Sequence, residues 1–175
     1  GHFGTYGPLL APLVSVLVPA LLADPNRRLL LVGRGSVSFA ERLRAANVGI
    51  GDRVVATGSL GPEETAAHLS ACDLLVQPFP DGLSTRRTSL MAGLALGLPI
   101  VSNTGPHTEP LWHDLRAVAL VPSTSPSEFA GIVSSLCSNP TELSRLSLAA
   151  KSAYERHFAV ERMVASFLGI AETDG

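Results

Sequence analysis

Five short apolar runs are spaced along this chain, and most are separated from the next by a segment of helix length. Apolar runs that end in Gly, Pro or Asn are typical of strands buried on both faces of a parallel sheet. Strands that alternate with helices are joined by right-handed crossovers, which place helices on both faces of the sheet. The sequence therefore predicts an α/β fold with a Rossmann-like, doubly wound parallel sheet. The predicted strands are Arg27–Gly33, Asp52–Gly58, Asp73–Phe79, Leu98–Asn103 and Ala117–Pro122.

Helices are predicted between and after these strands. Pro8 suits the first turn of an apolar helix, and Pro62 opens a helix with acidic residues in its first turn. The glycine-rich start, GHFGTYGP, is predicted to be a turn before the first helix. No repeat or linker divides the chain, so residues 1–175 are expected to form a single domain. The predicted helices are Pro8–Ala23, Ser38–Asn47, Gly61–Cys72, one that begins within residues 84–88, Ser127–Ser138, and the closing pair Thr141–His157 and Val160–Ile170.

The composition argues against several classes of protein. Hydrophobic residues make up 46% of the chain and charged residues 16%, which indicates a globular chain with a large core. A formal net charge of −2 argues against a nucleic-acid partner. The apolar run Leu9–Ala23 is interrupted by Pro12 and Pro19 and is too short to indicate a membrane span. Cys72 and Cys137 are expected to be buried free thiols in a reducing, cytoplasmic setting, and no cluster of His or Cys indicates a metal site.

Open parallel sheets bind ligands beside the carboxyl ends of their strands, where loops meet helix starts. Gly4, Thr5 and Gly7 precede the first helix, where free backbone amides attract phosphate, and an ordinary tight turn is the alternative. Arg34 follows the first predicted strand and is flanked by glycines. A guanidinium in that place can hold a diphosphate, and a solvent-facing side chain is the alternative.

A polar segment with two adjacent arginines, STRRT at residues 84–88, lies where a loop turns into an apolar helix. Either of its first two residues can cap that helix. Arg86 and Arg87 are unfavourable beside the positive end of the helix dipole by a few tenths to ~1 kcal/mol. A bound anion would remove this penalty; the alternatives are two solvated arginines, or one arginine paired with Asp81. The candidate anion-binding residues are Ser84, Thr85, Arg86, Arg87 and Thr88.

The loop after the fourth predicted strand, NTGPHTEPLWHD, holds Asn103, His107, Glu109 and His113. Single polar residues in such loops are more often surface caps than ligand-binding groups. A Glu or His here could touch a ligand, but none of the four is a predicted site residue. Trp112 is expected to be an aromatic residue of the core or its rim.

The segment DLLVQPFPDGLSTRRTSLMAGLALGLPIVSN resembles the donor-binding segment of retaining glycosyltransferases of the GT-B fold, the group often called family 4. The family's Ala-x-Gly-x-Pro-Val-Val pattern matches Ala95–Val101, with Ile100 at the first Val. The segments LLLVGRG, VVATGSLGPEETAAHLSACDLLVQP and RHFAVERMVASFL also fit in order. The two glutamates of the family fall at Ser84 and Ala92. This departure resembles a bacterial subgroup that carries Ser-Thr-Arg-Arg in this loop.

The resemblance implies the C-terminal, nucleotide-sugar-binding half of a GT-B fold, with the acceptor-binding N-terminal domain absent from this chain. It places Gly58, Ser59 and Leu60 near the nucleotide base. The expected partner is a nucleotide-diphosphate sugar, whose leaving diphosphate the arginines and helix-start amides named above would stabilise. No metal cofactor is expected, and the catalytic residues are not identified. This chain alone is expected to bind a nucleotide sugar weakly, if at all, and to transfer nothing.

Two other functions stay open. A degenerate domain kept for binding or assembly would account for the missing glutamates. A sugar-nucleotide 2-epimerase shares the GT-B architecture, although it would need acidic and His residues in the same cleft. A nicotinamide-binding Rossmann domain ranks last, because no G-x-G-x-x-G follows a strand.

Overall fold

The computed structural model describes residues 3–122 and 125–168, in which helices and strands alternate. Residues 1–2 and 169–175, which hold the ends of the predicted domain and the predicted end of the closing helix, lie outside the described residues. The strands are β1 (Leu29–Leu31), β2 (Val54–Ala56), β3 (Leu75–Val76), β4 (Ile100–Asn103) and β5 (Ala119–Val121). The helices are α1 (Phe3–Leu21), α2 (Ser36–Ala46), α3 (Pro62–Ser70), α4 (Thr88–Ala95), α5 (Leu111–Leu115), α6 (Pro126–Cys137), α7 (Pro140–Ala153) and α8 (Val160–Phe167).

All five strands pair in parallel, as predicted, but their ladders form two sheets instead of one. β1 pairs with β2, with Leu30 opposite Val55. β4 lies between β3 and β5 in the second sheet. Helix α1 packs on both sheets, because Leu17 belongs to the core around β4 and β5 and Val18 to the core around β1 and β2. In the described residues, helix packing therefore joins the two sheets where a continuous ladder was expected.

Helix α1 begins earlier than the sequence predicts. The start was expected to be a turn before Pro8, but Gly4, Thr5 and Gly7 lie in the first turns of the helix. The three prolines inside α1 lack amide hydrogens, so each removes a helical hydrogen bond. Burial of the apolar side chains of α1 in both cores offsets this loss. If this segment binds phosphate, as predicted, it would do so through the unpaired backbone amides in the first turn of α1.

The core beneath the loops that follow β3 and β4 includes Phe79, Leu83 and Trp112. β4 is the central strand of its sheet, and all four of its residues are buried. The hydroxyl of Ser102 is satisfied there because it donates to the Gln77 carbonyl at 2.8 Å. The polar end of β4 thus lies within an apolar core, directly below the loops after β3 and β4.

Two elements in this region are not predicted by the sequence. Helix α5 occupies part of the loop expected after β4, and a π-helical turn at Tyr154–Phe158 lies between α7 and α8. The two elements meet, because the ring of Phe158 stacks on that of Trp112 with centroids 5.5 Å apart. Trp112 is fully buried and is a core residue, as predicted.

Cys72 and Cys137 are both free, as predicted, but each is partly exposed and not buried as expected. Burial raises the pKa of both thiols. Within residues 3–122 and 125–168, no helix is long and apolar enough to cross a membrane.

Candidate functional site

A cavity of about 390 Å³ opens where the loops after β3 and β4 meet, close to the start of α4. Parallel strands end at the same edge of a sheet, so this is the edge at which open α/β sheets bind ligands. Another hollow, about 470 Å³, runs along β2 and contains none of the predicted site residues. The residues that line the cavity beside α4 are Asp81, Ser84, Arg86, Arg87, His107 and Glu109.

Asn103, at the end of β4, fixes the start of the β3 loop. Its side-chain amide donates to the Phe79 carbonyl at 2.8 Å, and its side-chain oxygen accepts from the Phe79 amide at 2.8 Å. Its backbone carbonyl accepts from the Leu83 amide at 2.8 Å. The Asn103 side chain is 1% exposed, so these bonds are shielded from water. Asn103 therefore supports the loop from below and is a buried structural residue, whereas the sequence favoured a surface cap.

The loops after β3 and β4 approach each other closely at two glycines. Gly82 has a φ of +91°, and a Cβ placed on it would lie 2.4 Å from the Gly105 amide nitrogen. A Cβ on Gly105 would lie 2.6 Å from the Asp81 carbonyl carbon. The His107 amide donates to the Asp81 carbonyl at 3.1 Å across the same contact. Close backbone approach at these glycines thus brings Asp81 and His107 into one cavity wall.

The adjacent arginines of the predicted anion site have different surroundings. Arg87 forms an ion pair with Asp81, and its guanidinium carbon lies 4.5 Å from the centre of the Phe79 ring. Only 15% of the Arg87 side chain is exposed. Arg86 is exposed at the cavity and forms no ion pair among the residues that the structure describes. The pairing of one arginine with Asp81 is the alternative that the sequence left open, and Arg86 is the arginine whose side chain is exposed at the cavity.

Glu109, which was not among the predicted site residues, holds the segment just before Arg86. One carboxylate oxygen accepts from the Thr85 hydroxyl at 2.8 Å and from the Thr85 amide at 3.1 Å. The other accepts from the indole nitrogen of Trp112 at 2.9 Å. Partial burial acts to raise the pKa of Glu109, but the bonds from Thr85 and Trp112 outweigh it and leave the pKa below its usual value. Glu109 is therefore ionised at neutral pH.

Helix α4 starts three residues later than a cap at Ser84 would require and two residues later than a cap at Thr85 would require. Its N-cap residue is Arg87, which makes no side-chain capping bond, and its first residue is the exposed Thr88. The expected capping role is wrong because Thr85 donates to Glu109 instead. The buried Ser84 lies on the cavity wall.

The loops after β1 and β2 form a second cluster of predicted residues. The hydroxyl of the buried Ser36 accepts from the Gly58 amide at 2.9 Å, and the Gly33 amide donates to the Thr57 hydroxyl at 3.3 Å. These bonds bring the Arg34 loop and the Gly58 loop together. The Arg34 side chain is exposed beside them. Ser59 is also exposed, and Leu60 is half-buried.

The structure therefore places the predicted residues in three regions, which are the cavity beside α4, the second loop cluster and the start of α1. Ser84, Arg86 and Arg87 share the cavity beside α4, whereas Arg34 is not among the residues that line it. Sequence reasoning left Glu109 and Asn103 out of the site, because each acts on a loop 24 residues earlier in the chain. The one available signal for Glu109 was its position three residues before a Trp, whose indole needs an acceptor when buried. No group of three His, Cys, Asp or Glu side chains within the described chain could hold a metal ion.

Two solved proteins, WaaG and HepE, have a similar fold. WaaG, a glycosyltransferase involved in lipopolysaccharide biosynthesis, superimposes with a TM-score of 0.69 at 14% identity and covers 98% of this chain. HepE (Alr3699) from Anabaena, solved with UDP, gives a TM-score of 0.64 at 19% identity over 89% of this chain. The same protein has been solved with UDP-glucose, and that structure gives a TM-score of 0.63.

These likenesses establish a Rossmann-like α/β fold of the GT-B type, as predicted. The chain spans 45% of the length of WaaG and 44% of the length of HepE. No curated protein sequence matches this chain. The model of a family described as glycosyl transferases group 1 matches residues 10–139, which is most of the chain. The chain belongs to the group 1 glycosyl transferases.

Proposed function

We propose that this chain is the donor-binding domain of a glycosyltransferase that takes a sugar from a nucleotide-diphosphate sugar. The observation that carries the proposal is the exposed Arg86 on a cavity at the carboxyl edge of the sheet, next to the start of α4. Arginine binds diphosphates through paired hydrogen bonds, and helix-start amides add to the attraction. The UDP and UDP-glucose bound by HepE, which shares this fold, support the same class of ligand.

The chemistry of transfer accounts for a cation in this place. Cleavage of the bond between the anomeric carbon and the phosphate oxygen leaves negative charge on the departing diphosphate. Donors held in place before the reaction stabilise that charge more than they stabilise the intact donor. Arg86 would supply this charge at the cavity, together with the first amides of α4. Arg34 and the first amides of α1 do not line that cavity, and we propose that they hold the diphosphate from outside it. With these donors, a metal ion is not required in our proposal.

The base of the nucleotide is proposed to lie at the second loop cluster. Gly58 has a φ of +71°, and among the described residues a Cβ at that position would meet just Val37, at an ordinary distance of 3.8 Å. The open backbone at Gly58 and the exposed Ser59 leave room for a flat ring, with Leu60 beside it. Main-chain groups of residues 58–60 would then read the edge of the base.

We further propose that the acceptor site belongs to a separate N-terminal half of a longer, cytoplasmic protein, because this chain spans less than half of WaaG and HepE. The loop variant Ser84–Arg87 would place that protein in the Ser-Thr-Arg-Arg subgroup of the retaining, family 4-like enzymes. Alone, this chain would bind the donor and transfer nothing, since the acceptor site would be missing.

A binding domain without transferase activity is the second candidate. The observation that favours it is the identity of Ser84 and Ala92, the positions at which the resemblance expects two glutamates. Asp81 does bring a carboxylate to the cavity, but Arg87 holds it in an ion pair. An epimerase would need acidic and His residues in one cleft, and Glu109 and His107 do line this cavity. The hydrogen bonds from Thr85 and Trp112 occupy the Glu109 carboxylate, so the epimerase ranks below the binding domain.

Calorimetric titration of this chain with UDP, GDP and ADP tests the proposal. Binding of at least one of them, with loss of affinity at higher salt, would support it, because screening weakens an arginine–diphosphate contact. Absence of binding at millimolar concentration for all three would contradict it. Assays of the full-length protein for sugar transfer and for epimer formation then separate the transferase from the binding domain and the epimerase.

A further inference from the structure

We infer that Glu109 is the positioning residue of the loop after β3, which carries Arg86. Trp112 and Phe158 connect Glu109 to the π-helical turn, which thereby supports the same loop. The inference rests on the proposed function only for the effect on ligand binding. Its structural part concerns a carboxylate and an amide that lie 24 residues apart in the chain and are bonded in the fold.

Glu109 accepts hydrogen bonds from both the backbone and the side chain of Thr85. The carboxylate accepts both the amide and the hydroxyl of Thr85, so it fixes the backbone and the side-chain rotamer together. Thr85 is the residue immediately before Arg86, and the Arg87 amide donates back to the Ser84 carbonyl at 3.2 Å. The backbone on both sides of Arg86 is therefore held, which sets the direction in which its side chain leaves the loop.

The site needs an acceptor with two oxygens and a charge at position 109. Both oxygens receive protein donors, from Thr85 on one side and from Trp112 and Thr85 on the other. A glutamine has one oxygen, and its amide group would face a donor in either orientation. The ionised carboxylate also makes the stronger bonds. Glu109 lines the cavity, but its charge is directed at these donors, which limits its repulsion of an anion bound at Arg86.

Trp112 connects the Glu109 carboxylate to the π-helical turn that follows α7. Its indole nitrogen donates to Glu109, and its ring stacks on Phe158 at an interplanar angle of 17°. Trp112 is fully buried, so its position depends on the residues packed around it. The π-helical turn Tyr154–Phe158 thereby supports the loop that carries Arg86, although Phe158 does not line the cavity.

The test compares Glu109→Gln with Glu41→Gln, which changes an exposed glutamate in the middle of α2. Hydrogen exchange of the Thr85 amide is measured without ligand, UDP affinity is measured by calorimetry, and thermal unfolding gives global stability. Glu109→Gln is expected to speed Thr85 exchange, while exchange in α2 and α7 stays unchanged, and to weaken UDP binding by about tenfold. Glu41→Gln is expected to change none of these.

A second variant, Trp112→Phe, keeps an aromatic ring for Phe158 but removes the donor to Glu109, and it is expected to speed Thr85 exchange as well. Unchanged Thr85 exchange and unchanged UDP affinity in Glu109→Gln would overturn the inference. Faster exchange in α2 and α7 to the same degree would also overturn it, because the effect would then be global. If the unmutated chain binds no UDP but Glu109→Gln speeds Thr85 exchange alone, the proposed function fails and the positioning role stands.

Discussion

Arg87 pairs with Asp81 inside the β3 loop, while the neighbouring Arg86 faces the cavity with no ion pair among the described residues. The two side chains look equivalent in the sequence but have different surroundings. Arg87 also lies over the Phe79 ring, which adds a cation–π contact to the ion pair. We therefore assign Arg87 to the stability of the loop and Arg86 to the ligand.

Removal of the Asp81 charge tests the role given to Arg87. Asp81→Asn leaves the mostly buried guanidinium without its carboxylate, so the free energy of unfolding is expected to fall. Because 44% of the Asp81 side chain is exposed, screening by solvent should limit the loss to about 1 kcal/mol. Urea unfolding measures this change, and Asp52→Asn, at an exposed carboxylate outside this loop, is the control. Equal stability of the two variants would show that the ion pair contributes nothing.

The contact between Gly82 and Gly105 predicts that neither position tolerates a side chain. Gly82→Ala would place a methyl group 2.4 Å from a backbone nitrogen, at a φ of +91° that alanine rarely adopts. We expect it to lower the free energy of unfolding by about 2–4 kcal/mol, and Gly105→Ala to act in the same direction.

The matched control for the glycine pair is Gly131→Ala in helix α6, where an added Cβ meets nothing within 4 Å. This substitution should stabilise the chain by about 0.5–1 kcal/mol, since alanine favours a helix over glycine. Thermal or urea unfolding measures all three variants. A Gly82→Ala chain as stable as the Gly131→Ala chain would contradict the close approach of the two loops.

The lowered pKa of Glu109 predicts a loss of stability in acid. A carboxyl group whose pKa is lowered in the folded state stabilises the fold above its unfolded pKa of about 4.5, and this contribution disappears as pH falls through the lower folded value. The difference in unfolding free energy between the unmutated chain and Glu109→Gln should therefore be largest at neutral pH and shrink below pH 4.5. Urea unfolding across the acid range gives this difference. A difference independent of pH would mean that the Glu109 charge does not act in the fold.

The alternation of apolar runs and helices was enough to predict the five parallel strands, because buried parallel strands leave a continuous apolar signal. The break between the two ladders was not predictable, since it depends on where α1 packs. The start of α1 was also misplaced, because the segment before Pro8 was predicted to be a turn, yet the helix begins at Phe3.

The site was predictable only where its residues are close in sequence. The segment at Ser84–Thr88 stands out because two arginines at a helix start oppose the helix dipole. Glu109 and Asn103 act across 24 residues, and a single sequence holds no record of such contacts. The resemblance led to the right family, which the match over residues 10–139 confirms, and its subgroup remains a prediction.

The central claim is that Arg86 faces a nucleoside diphosphate, and calorimetric titration of UDP against Arg86→Ala tests it most directly. The matched control is Arg28→Ala, which removes the same charge from an exposed position at the amino end of β1. We predict that Arg86→Ala weakens UDP binding by about tenfold to a hundredfold, the loss expected for a charge-assisted hydrogen bond, while Arg28→Ala changes it little. Equal UDP affinities of the two variants would contradict the account.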